Sequence, residues 1–239
     1  MPYKLLWEDR FDHDGKPDPA IWTLVTGGTG FGNNEDQYYT DREENASVKA
    51  GVLSIVARKE AFENRQYTSA KLSTFCKKSI GYGRLEIEAL LPSGKGTWPA
   101  IWLLGNNIHE VGWPKCGEID LMEHVGKNPD HIHFSMHCEA YNFHKNNHRT
   151  FVIHREGVRD TFHQYAMEWN ETSLSFYFDS ELLFTFDKHP GDTPKEWPFN
   201  QEFYLILNLA VGGFWGGAID DTIFPVSIQF RTLRVYERI

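Results

Sequence analysis

The chain has 239 residues, a length that suits one large all-β domain or two small domains. Its 24 lysines and arginines stand against 33 aspartates and glutamates, so the formal net charge is −9. With no basic stripe to offset that charge, nucleic acid and anionic membranes are poor partners. The sequence also lacks the run of about 18 apolar residues that a membrane-spanning helix needs.

The N-terminal segment lacks the apolar core of a signal peptide. This predicts a cytoplasmic protein as the chain is written, or a secreted one if a leader has been removed. The cysteines are Cys76, Cys116 and Cys138, an odd number without a C-x-x-C pair. We expect three reduced thiols, mostly buried. Aromatic residues make up 15% of the chain, which suits both a β-rich core and a carbohydrate site.

Alternation of apolar and polar residues, rather than a helical period, dominates the sequence. The Asp179-Ser180 pair is typical of a hairpin turn, and the nearly wholly apolar run 203–211 predicts a strand buried on both faces. No repeat or linker interrupts the chain, so we expect a single domain over residues 1–239. In chain order, strands are predicted at 52–57, 83–91, 173–179, 181–186, 203–211 and 231–238.

Many short strands separated by glycine- and proline-bearing turns predict an all-β fold. We expect a β-jelly-roll sandwich of two antiparallel sheets. Two packed sheets of this size commonly curve and leave a concave face, which suits a polymer chain laid across it.

Three acids lie among apolar residues in the segment from Gly117 to Glu123, which reads G-E-I-D-L-M-E. Side chains two apart on a strand face the same way, so Glu118 and Asp120 share a face. Glu123 has the wrong parity for that face on a regular strand. One extra residue restores the parity, so we predict a β-bulge near Leu121 and Met122 that returns Glu123 to the acidic face.

Carboxyl groups this close resist joint ionisation, so at least one should hold its proton near neutral pH. A carboxylate beside a carboxylic acid is the pair that glycoside hydrolysis needs. Taken alone, the pattern E-x-D-x-x-E has two other interpretations. It also fits a solvated strand face with alternating acids, or a calcium site.

The same segment closely resembles the signature of family 16 glycoside hydrolases, in the laminarinase-like branch. Its extra Met122 distinguishes it from the shorter E-x-D-x-E motif of the lichenase branch. Further stretches are similar to the family in the same order along the chain: 32–40 (G-N-N-E-D-Q-Y-Y-T), 97–104 (T-W-P-A-I-W-L-L), 133–142 and 203–217. The resemblance implies a jelly roll with a sugar-binding cleft, in agreement with the strand pattern.

The resemblance also implies roles for individual residues. Glu118 becomes the nucleophile, Asp120 assists, and Glu123 is the acid/base. Candidate sugar contacts are Trp98, Trp102, Trp113, Trp215, His137, Asn33 and Lys71. Each tryptophan could equally be a core residue, although Trp98 and Trp102 have the same strand parity and could both face the cleft.

His131, His133 and His137 share one parity, which raises the alternative of a three-histidine zinc site. No fixed ligand motif surrounds them, and chemistry by a pair of carboxyl groups needs no metal, so we expect none. His137 matches a family histidine near the acid/base, whereas His133 is expected to be structural.

Three departures from the family pattern affect the prediction. Lys71 stands where relatives often have Arg, and it cannot reproduce a bidentate contact. Phe214 stands where relatives often have Asn. Arg231 replaces an Asp that often helps bind a structural calcium. A cation does not ligate a cation, so we expect that calcium site to be weak or absent and no cofactor to be required.

The sequence therefore predicts a retaining endo-β-glucanase, a hydrolase of β-1,3-glucan with mixed-linkage β-1,3-1,4-glucan as a second substrate. The expected partner is a glucan polysaccharide or oligosaccharide, and the expected state is a monomer. One alternative is a non-catalytic glucan-binding module, but such proteins have usually lost a catalytic acid. Another is a hydrolase or transglycosylase of the same fold that acts on a different β-glycan.

Overall fold

The computed structural model describes residues 3–239, and the start of the N-terminal segment considered above lies outside them. Tight turns and longer loops connect the strands. In chain order the strands are β1 (Tyr3–Asp9), β2 (Thr23–Leu24), β3 (Gln37–Tyr39), β4 (Ala46–Lys49), β5 (Val52–Phe62), β6 (Arg65–Ser69), β7 (Lys71–Ser73), β8 (Gly83–Leu90), β9 (Thr97–Gly105), β10 (Glu118–Glu123), β11 (His131–His137), β12 (Arg149–His154), β13 (His163–Trp169), β14 (Ser173–Phe178), β15 (Glu181–Asp187), β16 (Phe203–Val211) and β17 (Val226–Arg238).

These strands pair into two sheets. The first has the order β15-β14-β13-β8-β17-β5-β6-β3, with β1 paired to β17 and β4 to β5. The second has the order β12-β11-β10-β9-β16-β7-β2. The pairs are antiparallel, as predicted, except that β3 runs parallel to β6.

The apolar core lies between the sheets. Leu85, Ile87 and Ala89 alternate along β8 and are fully buried, because strand side chains at every second position point the same way. From the second sheet, Phe134 of β11 meets Phe176 of β14 with their ring centroids 5.9 Å apart. The predicted jelly-roll sandwich is confirmed.

Most predicted strands appear with small changes at their ends. The run 203–211 is β16, buried at every position. Asp179 and Ser180 both have positive φ, at 46° and 69°, as a two-residue hairpin turn requires. The predicted strand at 231–238 is the second half of the longer β17, and that at 52–57 extends to Phe62.

In the described part of the chain, helical structure is confined to single turns in loops: α1 (Ile108–Val111), α2 (Gly213–Gly216) and two 3-10 turns at Phe143–Lys145 and Asp221–Ile223. Within residues 3–239, no helix has the length and apolarity that crossing a membrane requires. The three cysteines are free thiols; Cys116 and Cys138 are buried, and Cys76 is exposed.

The outward face of the second sheet carries the acidic strand, and we call the part of this face that lies between the flanking loops the cleft. Loop residues from both ends of its strands contact side chains on that face. At one end, Trp113 and Phe143 approach His137 of β11. At the other end, Trp215 packs on Trp98 of β9.

Candidate active site

The strand that carries the three acids, β10, contains the predicted bulge. Against β9, Asp120 pairs with Trp102 and Met122 with Ile101, which leaves Leu121 as the extra residue. Leu121 and Met122 are both fully buried in the core. Asp120 and Glu123 therefore lie on the same face, although they are three residues apart. The bulge prediction is confirmed.

Two tryptophans donate hydrogen bonds to the outer acids of the strand. Nε1 of Trp113 donates to Oε2 of Glu118 at 2.8 Å. Nε1 of Trp98 donates to Oε1 of Glu123 at 3.1 Å. Each indole thus fixes the orientation of one carboxyl group and presents its ring beside that group.

His137 lies beside Glu118 and Asp120. It pairs with Glu118 across β10 and β11, and its Nε2 is 3.3 Å from Oδ2 of Asp120 and 3.8 Å from Oε1 of Glu118. Its ring stacks on His148 with centroids 5.0 Å apart. Donor atoms of Glu118, Asp120 and His137 lie within 4.8 Å of one another, so this trio could in principle hold a cation.

Burial raises the pKa of all three acids to about 8. For Glu118 the charge of Asp120 adds to the rise, and that of Glu123 adds further, whereas His137 and the hydrogen bond from Trp113 oppose it. For Glu123 the charge of Asp120 adds to the effect of burial, while His137 and the bond from Trp98 oppose it. The cluster therefore retains protons at neutral pH.

Beside β10, a chain of hydrogen bonds supports Trp102. Its Nε1 donates to Oδ1 of Asn208 at 2.7 Å. Nδ2 of Asn208 donates to the hydroxyl of Tyr39 at 3.0 Å, and that hydroxyl donates to Oε2 of Glu35 at 3.1 Å. Gln37 donates to the same carboxylate oxygen at 2.6 Å. The indole of Trp102 is held in one orientation as a result.

Lys71 and Asn33 adjoin this network. The ammonium of Lys71 lies 4.8 Å from the ring centroid of Trp102 and 5.0 Å from that of Phe31. Burial lowers the pKa of Lys71, and the charges of Glu35 and then Glu118 oppose the decrease. Nδ2 of Asn33 donates to Oε1 of Glu35 at 3.3 Å. Lys71 thus has aromatic and electrostatic contacts in place of a bidentate pair.

The loop around α2 forms the wall at the Glu123 end. Trp215 packs edge-on against Trp98 at 5.4 Å and against His133 at 4.8 Å. Phe214 is 78% exposed beside it. The backbone N–H of Phe214 donates to the carbonyl of Asn33 at 2.9 Å, which joins this wall to the 30–36 segment.

The three histidines of the zinc alternative have different neighbours. His131 packs on His154, His133 on Trp215, and His137 on His148. Burial lowers the pKa of His133 to about 4, so it is neutral. Among residues 3–239, the side chains whose donor atoms are close enough to share an ion do not include these three histidines as a group.

The structure brings the candidate residues together unevenly. The acids are contacted directly by Trp98, Trp113 and His137. Trp215 reaches them only through its contact with Trp98. The adjoining network contains the other three candidates, Trp102, Lys71 and Asn33. Sequence reasoning missed Glu35, Tyr39 and Asn208, although positions 35, 37 and 39 have the same strand parity and so point to one face. It also missed Phe143, which lies in a loop without any period.

A tryptophan-lined cleft on a β-sandwich, with carboxyl groups converging from one strand, defines the class as glycoside hydrolase. The chain belongs to family 16 of the glycosyl hydrolases, whose family model matches residues 33–224.

Individual relatives agree with this assignment. The chain is 46% identical to a beta-glucanase of Rhodothermus marinus over 98% of its own length and 85% of the relative's. It superposes on the laminarinase structure from Rhodothermus marinus with a TM-score of 0.97, covering 100% of this chain and 98% of that one. The laminarinase structure from Flavobacterium sp. UMI-01 is 40% identical with a TM-score of 0.90, covering 98% and 100%.

Some relatives are much longer. The clotting factor G alpha subunit of Tachypleus tridentatus is 34% identical over 98% of this chain, but the match covers 34% of that protein.

Proposed function

We propose that residues 1–239 form one catalytic domain, a retaining endo-β-glucanase that hydrolyses β-1,3-glucan and, as a second substrate, mixed-linkage β-1,3-1,4-glucan. The observation that carries this is the bulge in β10, which brings Glu123 to the face of Glu118 and Asp120. Two carboxyl groups on one face are the minimum for hydrolysis by double displacement.

In the first step, Glu118 attacks the anomeric carbon while Glu123 protonates the departing glycosidic oxygen. The hydrogen bond from Trp113 favours the ionised form of Glu118, as a nucleophile requires. Burial raises the pKa of both carboxyl groups to about 8, and the bond from Trp98 favours the ionised form of Glu123 in the same way. The resemblance to the family signature, rather than the pKa values, assigns Glu118 as the nucleophile and Glu123 as the acid. Asp120 adds negative charge next to both groups.

In the second step, Glu123 removes a proton from water, which then attacks the glycosyl ester on Glu118. Forming that ester removes the charge of Glu118. The charges of Glu118 and Glu123 are coupled, so neutralising one lowers the pKa of the other. The change in charge therefore converts Glu123 from an acid into a base at the point where a base is needed.

Relatives support the substrate class. Laminarinase structures share the fold at up to 46% identity, and an endo-1,3-1,4-beta-glycanase of Rhizobium meliloti is 29% identical over 92% of this chain. The tryptophans of the cleft suit flat sugar rings, and a net charge of −9 disfavours phosphate-bearing polymers. We expect a glucan as the partner, with the protein acting as a monomer away from nucleic acid and membranes.

Product analysis on laminarin, barley β-glucan and agarose, side by side, tests the proposal. We expect rapid release of reducing ends from laminarin, slower release from barley glucan and none from agarose. Cleavage of agarose without cleavage of laminarin would contradict the substrate assignment.

Glu118→Gln is the matched variant, because it keeps the side-chain shape and removes the nucleophile. We expect it to retain the fold and to lose hydrolysis. A wild-type protein that binds laminarin without releasing reducing ends would instead favour the non-catalytic binding module.

A further inference from the structure

Three aromatic side chains, one half-buried and two exposed, form a group at the Glu118 end of the cleft. We define the aromatic rim as Trp113, Phe143 and His144. The ring of Phe143 lies 5.2 Å from that of Trp113 and 4.0 Å from that of His144, and His144 is 5.4 Å from Trp113. Since Trp113 hydrogen-bonds to Glu118, the rim begins next to the reacting carboxyl group.

Hydrogen bonds anchor the loop that carries Phe143 and His144, although both of these side chains are exposed. Asn142, which is 3% exposed, donates to the carbonyls of Cys138 and Glu139, and its Oδ1 accepts from the backbone of Lys145. Oδ1 of Asn147 accepts from the backbone N–H of Asn142. These bonds close the loop into a 3-10 turn that starts at Phe143. A ring fixed in this way loses little conformational entropy when a ligand stacks on it.

Phe143 and His144 of the aromatic rim lie on the opposite side of β10 from Trp102. Phe143 and His144 lie in the connection between β11 and β12, which follow β10 on one side of the sheet. Trp102, Asn208 and Lys71 lie on β9, β16 and β7, on the other side. A glycan chain laid across the strands over Glu118 and Glu123 has sugars on both sides of β10.

We propose that the aromatic rim, with Phe143 as its stacking surface, binds a sugar residue of the glycan on the β11–β12 side of the cleaved bond. This rests on the proposed function. Phe143 is 45% exposed, so about half of its ring is available to the apolar face of a sugar. His137 lies 6.0 Å from Phe143, beneath the rim, and links this sugar site to Asp120.

Bond-cleavage analysis of laminarihexaose labelled at its reducing end tests the proposal. We expect Phe143→Ala to raise KM about 5-fold, the loss of one aromatic contact. It should also move the position of the cleaved bond, so that fewer sugars of the bound hexaose lie over β11 and β12 when cleavage occurs. Trp102→Ala should shift cleavage in the opposite direction, and Phe143→Trp should restore the wild-type product pattern.

Phe151→Ala is the matched control. Phe151 lies on β12 and is 38% exposed, but its ring stacks on Phe184 at 4.3 Å, away from the rim. We expect it to leave the cleavage pattern unchanged. Thermal unfolding of each variant reports whether it has folded.

The outcomes separate this inference from the function on which it rests. A wild-type protein that leaves laminarihexaose intact overturns both. An active wild type with an unchanged KM and cleavage pattern in Phe143→Ala overturns the sugar site alone. A lower kcat with an unchanged cleavage pattern would also overturn it, because Phe143 would then act only by supporting Trp113.

Discussion

The indole Nε1–H of Trp113 donates a hydrogen bond of 2.8 Å to Oε2 of Glu118 at the start of β10. This bond lowers the pKa of Glu118 against the rise caused by burial and by Asp120. The same tryptophan is part of the aromatic rim. One side chain therefore connects the ionisation of the proposed nucleophile to the surface that we infer holds a sugar.

Trp113→Phe should reduce kcat/KM about 10-fold at neutral pH, because it removes a hydrogen bond to a charged group. Without the bond the pKa of Glu118 rises further, and a nucleophile must be ionised. The acidic limb of the pH profile of kcat/KM should therefore move to higher pH.

Trp98→Phe is the matched variant at the other acid. It removes the bond that lowers the pKa of Glu123, and an acid catalyst must be protonated. The basic limb should therefore move to higher pH while the acidic limb stays in place. Movement of the same limb in both variants would contradict the division of roles between Glu118 and Glu123.

Deletion of Met122 tests whether the bulge matters only for the parity of the strand. The deletion leaves E-I-D-L-E, in which a regular strand places all three acids on one face. We expect measurable hydrolysis of laminarin to persist, with stability reduced by about 2–5 kcal/mol because a buried Met is lost.

Deletion of Ile119 removes one residue before the bulge instead. It should abolish activity, because Asp120 and Glu118 then point to opposite faces. Equal activities of the two deletion variants, with both folded, would show that the parity argument is wrong.

Tyr39→Phe should raise KM and reduce stability by about 1–3 kcal/mol, because Glu35 and Asn208 lose a buried partner and Trp102 loses part of its support. Tyr165→Phe is the matched control, since Tyr165 is equally buried but its hydroxyl has no hydrogen-bond partner. Urea unfolding and steady-state kinetics on laminarin measure both effects. Similar losses in the two variants would contradict the supporting role of the network.

Calcium should leave the unfolding temperature unchanged. Arg231 stands where family members often have Asp, and its guanidinium lies over the ring of Phe162 at 3.9 Å. A ligand that binds only the folded state raises the unfolding temperature as its concentration increases. Arg231→Asp should gain such a response. A saturable increase in the wild type would show that the calcium site is intact.

The sequence predicted the acidic strand well, because strand parity places Glu123 on the face opposite Asp120 unless the strand gains one extra residue between them. It could not predict what supports Trp102. Asn208 lies 106 residues further along the chain, and Tyr39 lies 169 residues before Asn208. Alternation shows which face a side chain occupies, but not which distant strand supplies its partner. The loop that carries Phe143 has no alternation at all.

The most direct test of the central claim is azide rescue of Glu123→Ala on an activated aryl β-glycoside. If Glu118 forms a glycosyl ester and Glu123 only transfers protons, azide should attack that ester in place of water, because it is a nucleophile that needs no base, and should accelerate turnover. The predicted product is a β-glycosyl azide, identified from the anomeric coupling constant in its NMR spectrum. An α-glycosyl azide, or no acceleration by azide, would contradict double displacement at these two acids.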